Sequence, residues 1–399
     1  MLLSRRSAQS RPLATTAMHG RADAMKARGA DVIDFSIAIS HWPAPPAVLA
    51  AVQQGLQQPA LAYTAVAGDA GIRTRLAARV ASVNGIAATA DDIIVTNGAK
   101  QALYQALYAL TDPGDAVIIF TPYWPAYVTT STLLGLQPLL VPLPPVITRE
   151  LLDSLPPARV LIINNPHNPT GAVLTAADID CIAAWLARTG TRAIVDESYE
   201  QLIFEGSHTS LASRPDWREL GVVTLFSASQ SYAMMGWRAG FAVAPAPLVA
   251  AMEALQGPIT AAAPMLMQLA LAAAFEQPPH HAMLKDYRAR RDLVLDLTAQ
   301  LPWLRVQCPA SGPYLWFNVT ALAMQSTAMA EQLLDEYGVA VMPGDALGAP
   351  GYLRIGYISG DVATLRRGVQ ALVAFGNARH LQLQAGVQAR LAAQTGHSA

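Results

Sequence analysis

FSASQSYAMMGWRAGF occupies positions Phe226–Phe241, and the apolar run Val222–Phe226 at its start predicts a buried strand. Small hydroxyl residues and one arginine follow this run. Hydroxyl and guanidinium groups at the end of a strand are suited to hold an anion, because arginine offers a planar pair of donors. Ser227 and Arg238 are therefore candidate phosphate ligands.

The chain upstream of this stretch alternates strands and helices. Apolar runs of strand length lie at residues 93–96, 115–120, 139–143, 160–164, 192–195 and 222–226. Helical segments between these runs predict an α/β domain, with a sheet built between about residues 90 and 245.

The turn after the first of these strands is a second candidate anion site. It consists of Gly98, Ala99 and Lys100 and leads into a predicted helix. Free amides and the helix dipole both point at such a turn. Trp124 leaves the next strand of the chain and is a candidate for stacking on a flat ring, with simple packing as the alternative.

Two polar segments follow later strands. NPHNPTG, residues 165–171, contains two prolines and a glycine, which predict a rigid loop that orients Asn168. Asp196 and Tyr199 come directly after the strand at 192–195, at the edge where open α/β sheets bind ligands. Glu197, between them, is expected to be either solvated or structural.

Composition limits the class of protein. The chain has 399 residues, 52% of them apolar and 14% charged, with a net charge of −1. This length predicts one large and one smaller domain, and the balanced charge argues against a nucleic-acid partner. No apolar signal core follows the N-terminus, and the most apolar run contains polar residues, so a cytoplasmic protein without a membrane partner is expected.

The stretch 226–241 resembles the lysine loop of the class I/II aminotransferases, the fold-type I group of pyridoxal-phosphate enzymes. That loop has the pattern S-x-S-K-x-x-x-M-x-G-x-R, which is matched without a gap by Ser227, Ser229, Met234, Gly236 and Arg238. The position of the Schiff-base lysine is occupied by Gln230. A lysine amine can condense with an aldehyde and move a proton, whereas a glutamine amide is neither nucleophilic nor titratable.

The resemblance extends over nearly the whole chain and implies roles for its motif residues. The cofactor phosphate is implied to contact Tyr63, Gly98, Ala99, Lys100, Ser227 and Arg238. In the family the tyrosine reaches across a dimer interface; a loop tyrosine that packs on the next helix is the alternative for Tyr63. The pyridine ring is implied to contact Trp124 on its face, Asp196 at its nitrogen, and Asn168 and Tyr199 at its phenolic oxygen.

Two further positions are implied to contact the substrate. Arg354 resembles the arginine that binds the substrate α-carboxylate through two parallel hydrogen bonds. Ala38 stands where the family has a glycine whose amide approaches the same carboxylate. This departure leaves the identity of the substrate amino acid open.

The resemblance also implies the architecture. It predicts a three-layer α/β/α large domain with a mostly parallel sheet at residues 46–285 and a smaller α/β C-terminal domain at 286–399. An N-terminal arm, residues 1–45, is expected to contribute to the small domain. The expected assembly is a homodimer, with pyridoxal 5′-phosphate bound non-covalently and an amino acid/2-oxo acid pair as substrate.

Three interpretations of Gln230 remain open. The chain contains only Lys26, Lys100 and Lys285, and none of them is expected to replace the missing amine. The protein is then an aminotransferase-type enzyme impaired by the loss of its lysine, a natural lysine-independent pyridoxal-phosphate enzyme, or a non-catalytic protein that binds the cofactor or an amine.

Overall fold

The computed structural model describes residues 13–395. Its α-helices are α1 (Ala14–Ala27), α2 (Pro46–Leu56), α3 (Ala70–Asn84), α4 (Ala99–Leu110), α5 (Pro125–Leu133), α6 (Arg149–Asp153), α7 (Ala176–Thr189), α8 (Ala228–Ser231), α9 (Ala246–Thr260), α10 (Met265–Phe275), α11 (His281–Thr298), α12 (Ser326–Tyr337) and α13 (Val362–Thr395). Its strands are β1 (Ile33–Asp34), β2 (Ile93–Thr96), β3 (Ala116–Thr121), β4 (Gln137–Pro142), β5 (Val160–Asn164), β6 (Arg192–Asp196), β7 (Val222–Ser227), β8 (Gly240–Val243), β9 (Arg305–Val306), β10 (Tyr314–Asn318), β11 (Val339–Ala340), β12 (Met342–Pro343) and β13 (Tyr352–Gly356).

The chain divides into two compact units. Of the described residues, unit 1 contains 42–284 and 310–312, and unit 2 contains 13–41, 285–309 and 313–395. One division therefore falls within α11. No helix within residues 13–395 is long and apolar enough to cross a membrane.

Unit 1 is built on a seven-stranded sheet with the order β2-β8-β7-β6-β5-β3-β4. All neighbouring pairs from β7 to β4 are parallel, and β8 is antiparallel to both of its neighbours. Every residue of β2, β5 and β7 is buried, as expected for strands covered on both faces. The predicted α/β/α architecture with a mostly parallel sheet is confirmed.

Strand β8 is the part of this sheet that the sequence did not predict. It is only four residues long and begins with a glycine, so its apolar run is too short to stand out from the loop before it. Gly240 pairs with Thr96 of β2 on one side and with Ser227 of β7 on the other. This strand therefore brings the two predicted anion-binding segments to the same place.

Three aromatic rings hold the β7–β8 pair in the core of unit 1. Phe226 and Phe241 are stacked with ring centroids 4.8 Å apart. Phe275, at the end of α10, meets Phe241 edge-on at 5.0 Å. Both arrangements are favoured for aromatic pairs, and they fix the loop between the two strands to a rigid base.

The helical region after Pro264 consists of two helices, α10 and α11. Pro278 and Pro279 lie between them, and proline lacks the amide that continues a helix.

Unit 2 contains two small sheets. One is antiparallel with the order β12-β13-β10-β9, and the other is the parallel pair β1-β11. Helix α1 packs beside the second sheet, where its Ala22 shares a buried cluster with Val32, Leu334 and Ala340. Unit 2 is thus a small α/β body of its own.

Gly240→Ala is expected to destabilise unit 1. A methyl group at this position would lie 2.7 Å from the Phe226 carbonyl oxygen and 2.8 Å from the Ala99 amide nitrogen. Both obstacles are backbone atoms, so the free energy of unfolding should fall by about 1–3 kcal/mol. Urea unfolding followed by circular dichroism measures this change.

Gly236→Ala is the matched control, because no atom of residues 13–395, apart from its chain neighbours, lies within 4 Å of a methyl group at that position. An unfolding midpoint of Gly240→Ala equal to that of the unsubstituted protein would contradict the close approach of β8 to the start of α4.

Candidate active site

Except for Tyr63, the predicted site residues of unit 1 lie at one edge of its sheet. β2, β3, β5, β6 and β7 all run in the same direction, since β8 is antiparallel to both β2 and β7. Their carboxyl ends therefore lie at the same edge, which is where ligands bind in open α/β sheets.

The anion end of the site is the start of α4. Gly98, the residue before this helix, has φ of 81°. A methyl group on Gly98 would lie 2.6 Å from Nη2 of Arg238, so the guanidinium rests against the bare backbone. The helix dipole and the guanidinium charge both favour an anion at this position.

The loop after β7 orients this guanidinium. Arg238 has a left-handed backbone with φ of 54°, and its Nη1 donates to the Met235 carbonyl at 3.0 Å. The same nitrogen lies 3.4 Å from the Ser229 hydroxyl, and the Ser229 amide donates to the Ser227 hydroxyl at 3.2 Å. Arg238 is exposed, so the remaining donors are open to a ligand.

Lys100 and Trp124 lie beside this anion end. The Lys100 Nζ is 5.2 Å from the centroid of the Trp124 ring, a cation–π distance. Although Lys100 as a whole is exposed, desolvation of its ammonium lowers the pKa of Lys100, and the charge of Arg238 lowers it further. Two cations held close together in this way are stabilised by an anion between them.

Asp196 forms the opposite end of the site. It is 4% exposed, and its Oδ2 accepts from the Tyr127 hydroxyl at 2.8 Å. Its Oδ1 accepts from the Ser198 hydroxyl at 2.6 Å. Burial raises the pKa of Asp196 against the opposing effect of these hydrogen bonds. Within residues 13–395 no cation forms an ion pair with this carboxyl, so a cationic ligand group would complete it.

Asn168 and Tyr199 face each other between these two ends. The Asn168 Nδ2 lies 3.2 Å from the Tyr199 hydroxyl. Asn164, the last residue of β5, accepts from the Asn168 amide at 2.7 Å and donates to the Asp196 carbonyl at 2.9 Å. One asparagine side chain thus ties the NPHNPTG loop to the turn after β6.

Gln230 lies on the single turn α8, which connects the two ends. Ser229, one residue before it, contacts Arg238, and Ser231, one residue after it, donates to the Ser198 carbonyl at 3.1 Å. Gln230 is half-buried and carries a carboxamide where the family pattern has an amine. Of the three lysines, only Lys100 belongs to unit 1.

The donor set of this site fits pyridoxal phosphate. The phosphate would be held by Arg238, the hydroxyls beside it and the start of α4, whose bare Gly98 leaves no room for a side chain. The ring would be held by the buried Asp196 carboxyl at its nitrogen and by the Asn168–Tyr199 pair at its phenolic oxygen. Trp124 supplies an aromatic face beside the anion end.

Three of the residues implied by the resemblance have other surroundings. Tyr63 is 93% exposed in the loop before α3. Ala38 and Arg354 belong to unit 2, and both are buried. The Arg354 Nη2 donates to the Ser36 carbonyl at 2.8 Å, and its guanidinium lies 4.1 Å from the centroid of the Tyr314 ring.

Sequence reasoning missed two supports of Asp196. Tyr127 lies one helical turn after Trp124, and this aromatic spacing was the available signal. Asn164 was counted only as the end of a strand. Glu197 is fully buried, which excludes the solvated alternative for this residue.

The chain matches a family model and individual proteins over most of its length. The family model described as aminotransferase class I and II matches residues 30–372. The arginine–pyruvate transaminase of Pseudomonas aeruginosa is 33% identical, over 86% of this chain and 90% of that protein. The aspartate/prephenate aminotransferase of Thermus thermophilus is 31% identical, over 90% of this chain and 95% of that protein. A solved structure of the aspartate aminotransferase of Thermus thermophilus with maleate superposes with a TM-score of 0.88 and 30% identity, covering 94% of this chain and 100% of that one.

Asp196→Asn is expected to stabilise the ligand-free protein at neutral pH. Because the pKa of Asp196 is raised on folding, the folded protein binds more protons than the unfolded chain above about pH 4, and the contribution of this carboxyl to stability falls as pH rises. The free energy of unfolding should therefore increase at pH 7, and increase less at pH 4.

Urea unfolding at both pH values measures this difference, with the exposed Asp112→Asn as control. A loss of stability on Asp196→Asn at pH 7 would show that the carboxylate is satisfied by the protein alone.

Proposed function

This chain belongs to the class I and II aminotransferase family, and we propose that it is an aminotransferase-type enzyme that holds pyridoxal 5′-phosphate without a covalent bond. The proposal rests mainly on one observation: the anion end of the site and the buried Asp196 carboxyl lie on either side of Gln230. Polar groups buried without a function are costly, and a site that had lost its ligand would not need them.

Different residues of unit 1 bind the phosphate and the ring of the cofactor. Arg238, Ser227 and the first amides of α4 bind the phosphate. Asp196 keeps a proton on the ring nitrogen, and Asn168 and Tyr199 hydrogen-bond the phenolic oxygen. When bound, pyridoxal phosphate supplies an aldehyde and an electron-withdrawing ring that stabilises negative charge at the substrate α-carbon.

Gln230 limits what this site can do. Its carboxamide can donate and accept hydrogen bonds, but it cannot carry a proton to or from the substrate α-carbon at neutral pH. Loss of a general acid–base reduces a rate by about 10²–10⁴. Slow turnover is therefore expected, with cofactor that exchanges freely.

The substrate class is an amino acid/2-oxo acid pair. The family resemblance assigns the α-carboxylate to Arg354, and a guanidinium is suited to paired hydrogen bonds with a carboxylate. Ala38 supplies a backbone amide at the position of the family's glycine. The relatives named above act on arginine and on aspartate, so the side chain of the substrate is left open.

The proposed assembly is a homodimer. Tyr63 is 93% exposed and Leu61 is 48% exposed in the same loop, and large apolar groups exposed together favour a subunit interface. In this arrangement Tyr63 of one subunit contacts the phosphate bound by the other. The same contact explains why an aromatic residue in a loop has so little packing within its own subunit.

Gln230→Lys is expected to restore covalent attachment of the cofactor and transamination. An amine at this position can both condense with the aldehyde and move the α-proton. The protein should gain the long-wavelength absorbance of covalently held cofactor, and turnover should rise by about 10²–10⁴. Absorbance spectra and a coupled assay with a panel of amino acids measure both.

Gln230→Met, which keeps the length but removes the polar atoms, is the control. Equal turnover by the unsubstituted protein and Gln230→Lys would favour natural lysine-independent chemistry. Covalent attachment in Gln230→Lys without any product would favour a non-catalytic binding protein and would contradict the enzyme proposal.

Arg238→Gln is expected to weaken binding of pyridoxal phosphate by about 10–100-fold, the loss of hydrogen bonds to a charged group. Binding of pyridoxal, which lacks the phosphate, should not change. Fluorescence titration with both ligands measures this difference, and Arg214→Gln, which removes an arginine paired with Asp180 at the surface, is the control. An equal loss for both ligands would contradict a phosphate-binding role of Arg238.

A further inference from the structure

Glu197 and His208 form a buried pair next to the site. The Ser210 hydroxyl donates to Oε1 of Glu197 at 2.6 Å. The other oxygen, Oε2, lies 3.6 Å from Nε2 of His208, and the two side chains are 0% and 8% exposed. Neither of these two atoms has a hydrogen-bond partner among the described residues, so each is the available partner of the other.

The other ring nitrogen of His208 is already engaged. Burial lowers the pKa of His208, and a hydrogen bond between its ring and the backbone of Asn165 opposes this effect. The Asn165 amide itself donates to the Asp196 carbonyl, so its own carbonyl is the group that accepts from the histidine. The imidazole therefore carries its hydrogen on Nδ1 and presents the lone pair of Nε2 to Glu197.

We propose that Glu197 carries a proton on Oε2 and shares it with Nε2 of His208, so that the two residues form a neutral positioning pair for the ring contacts of the site. The pair joins the two loops that carry those contacts. The segment of His208 is joined to Asn165, where the loop of Asn168 begins, because the Asn165 side chain donates to the carbonyl of the adjacent Thr209 at 3.3 Å. Glu197 is covalently next to Asp196.

The charges around Glu197 support this neutral form. Its charged neighbours are Asp196, Glu200, Arg79 and His208. Arg79 and Glu200 form a buried ion pair at 2.6 Å, so their charges cancel. Burial raises the pKa of Glu197 and lowers the pKa of His208, which keeps the proton on the carboxyl.

The consequence is that Asp196 carries the only net charge in this group. A second carboxylate beside Asp196 would disfavour its ionisation. An ionised Asp196 is what keeps a proton on a bound pyridine nitrogen. Proton sharing is a property of the protein alone, whereas its effect on the cofactor rests on the proposed function.

Nuclear magnetic resonance of the ligand-free, ¹⁵N-labelled full chain tests the pair first. The His208 ring signals are assigned by their loss in His208→Gln. A neutral ring protonated on Nδ1 is expected throughout pH 5.5–8. A ring protonated on both nitrogens at pH 7, or on Nε2 alone, would overturn the proposal.

Two substitutions of Glu197 test its effect on the cofactor. Glu197→Gln can still donate to Nε2 of His208 and accept from Ser210, so pyridoxal-phosphate affinity and the pH dependence of the bound spectrum should stay within about twofold of those of the unsubstituted protein. Glu197→Leu has no donor and should weaken binding about tenfold. The exposed Glu219→Gln is the control.

The outcomes separate this proposal from the proposed function. An equal loss in Glu197→Gln and Glu197→Leu would show that an ionised carboxylate is required and would overturn the neutral pair. If Glu197→Leu does not fold, the comparison of Glu197→Gln with the unsubstituted protein still decides. If the unsubstituted protein binds no cofactor, the proposed function fails, and the nitrogen signals of His208 still decide whether the pair is neutral.

Discussion

The contact on which the site depends is that of the Arg238 guanidinium with the bare backbone of Gly98. It exists because the short strand β8 pairs with β2 and β7 at once and brings the loop after β7 to the start of α4. Any side chain at position 98 would occupy the space of the guanidinium. The result is a fixed positive site built from one helix end and one arginine, and it does not require a lysine.

The two ends of the site carry opposite charges, positive at the anion end and negative at Asp196. At the anion end, Arg238 and Lys100 lie close enough for one to lower the pKa of the other. At the opposite end, Asp196 is buried with hydroxyl and amide donors only. A ligand with an anionic group and a protonated ring nitrogen would neutralise the two cations at one end and the buried carboxyl at the other. The ligand-free fold therefore carries an energetic cost that the proposed cofactor would offset, and such costs are common at functional sites.

The sequence predicted the parts of this structure that rest on local pattern. Continuous apolar runs located β2, β5 and β7, and the resemblance of the chain to the class I and II aminotransferases is confirmed. The sequence did not predict β8, because its four residues form a strand only through pairing with the neighbouring strands β2 and β7. The Tyr127–Asp196 bond and the Glu197–His208 pair join residues that are distant in sequence, and only the fold brings them together.

The central claim is that the pyridoxal-phosphate contacts of unit 1 persist although Gln230 stands in place of the amine. The most direct test is to titrate the purified protein with pyridoxal phosphate, treat the complex with borohydride and measure the intact mass. The account predicts saturable binding and an unchanged protein mass, because no amine is linked to the cofactor. An absence of saturable binding, or a mass increase that maps to a lysine, would contradict it.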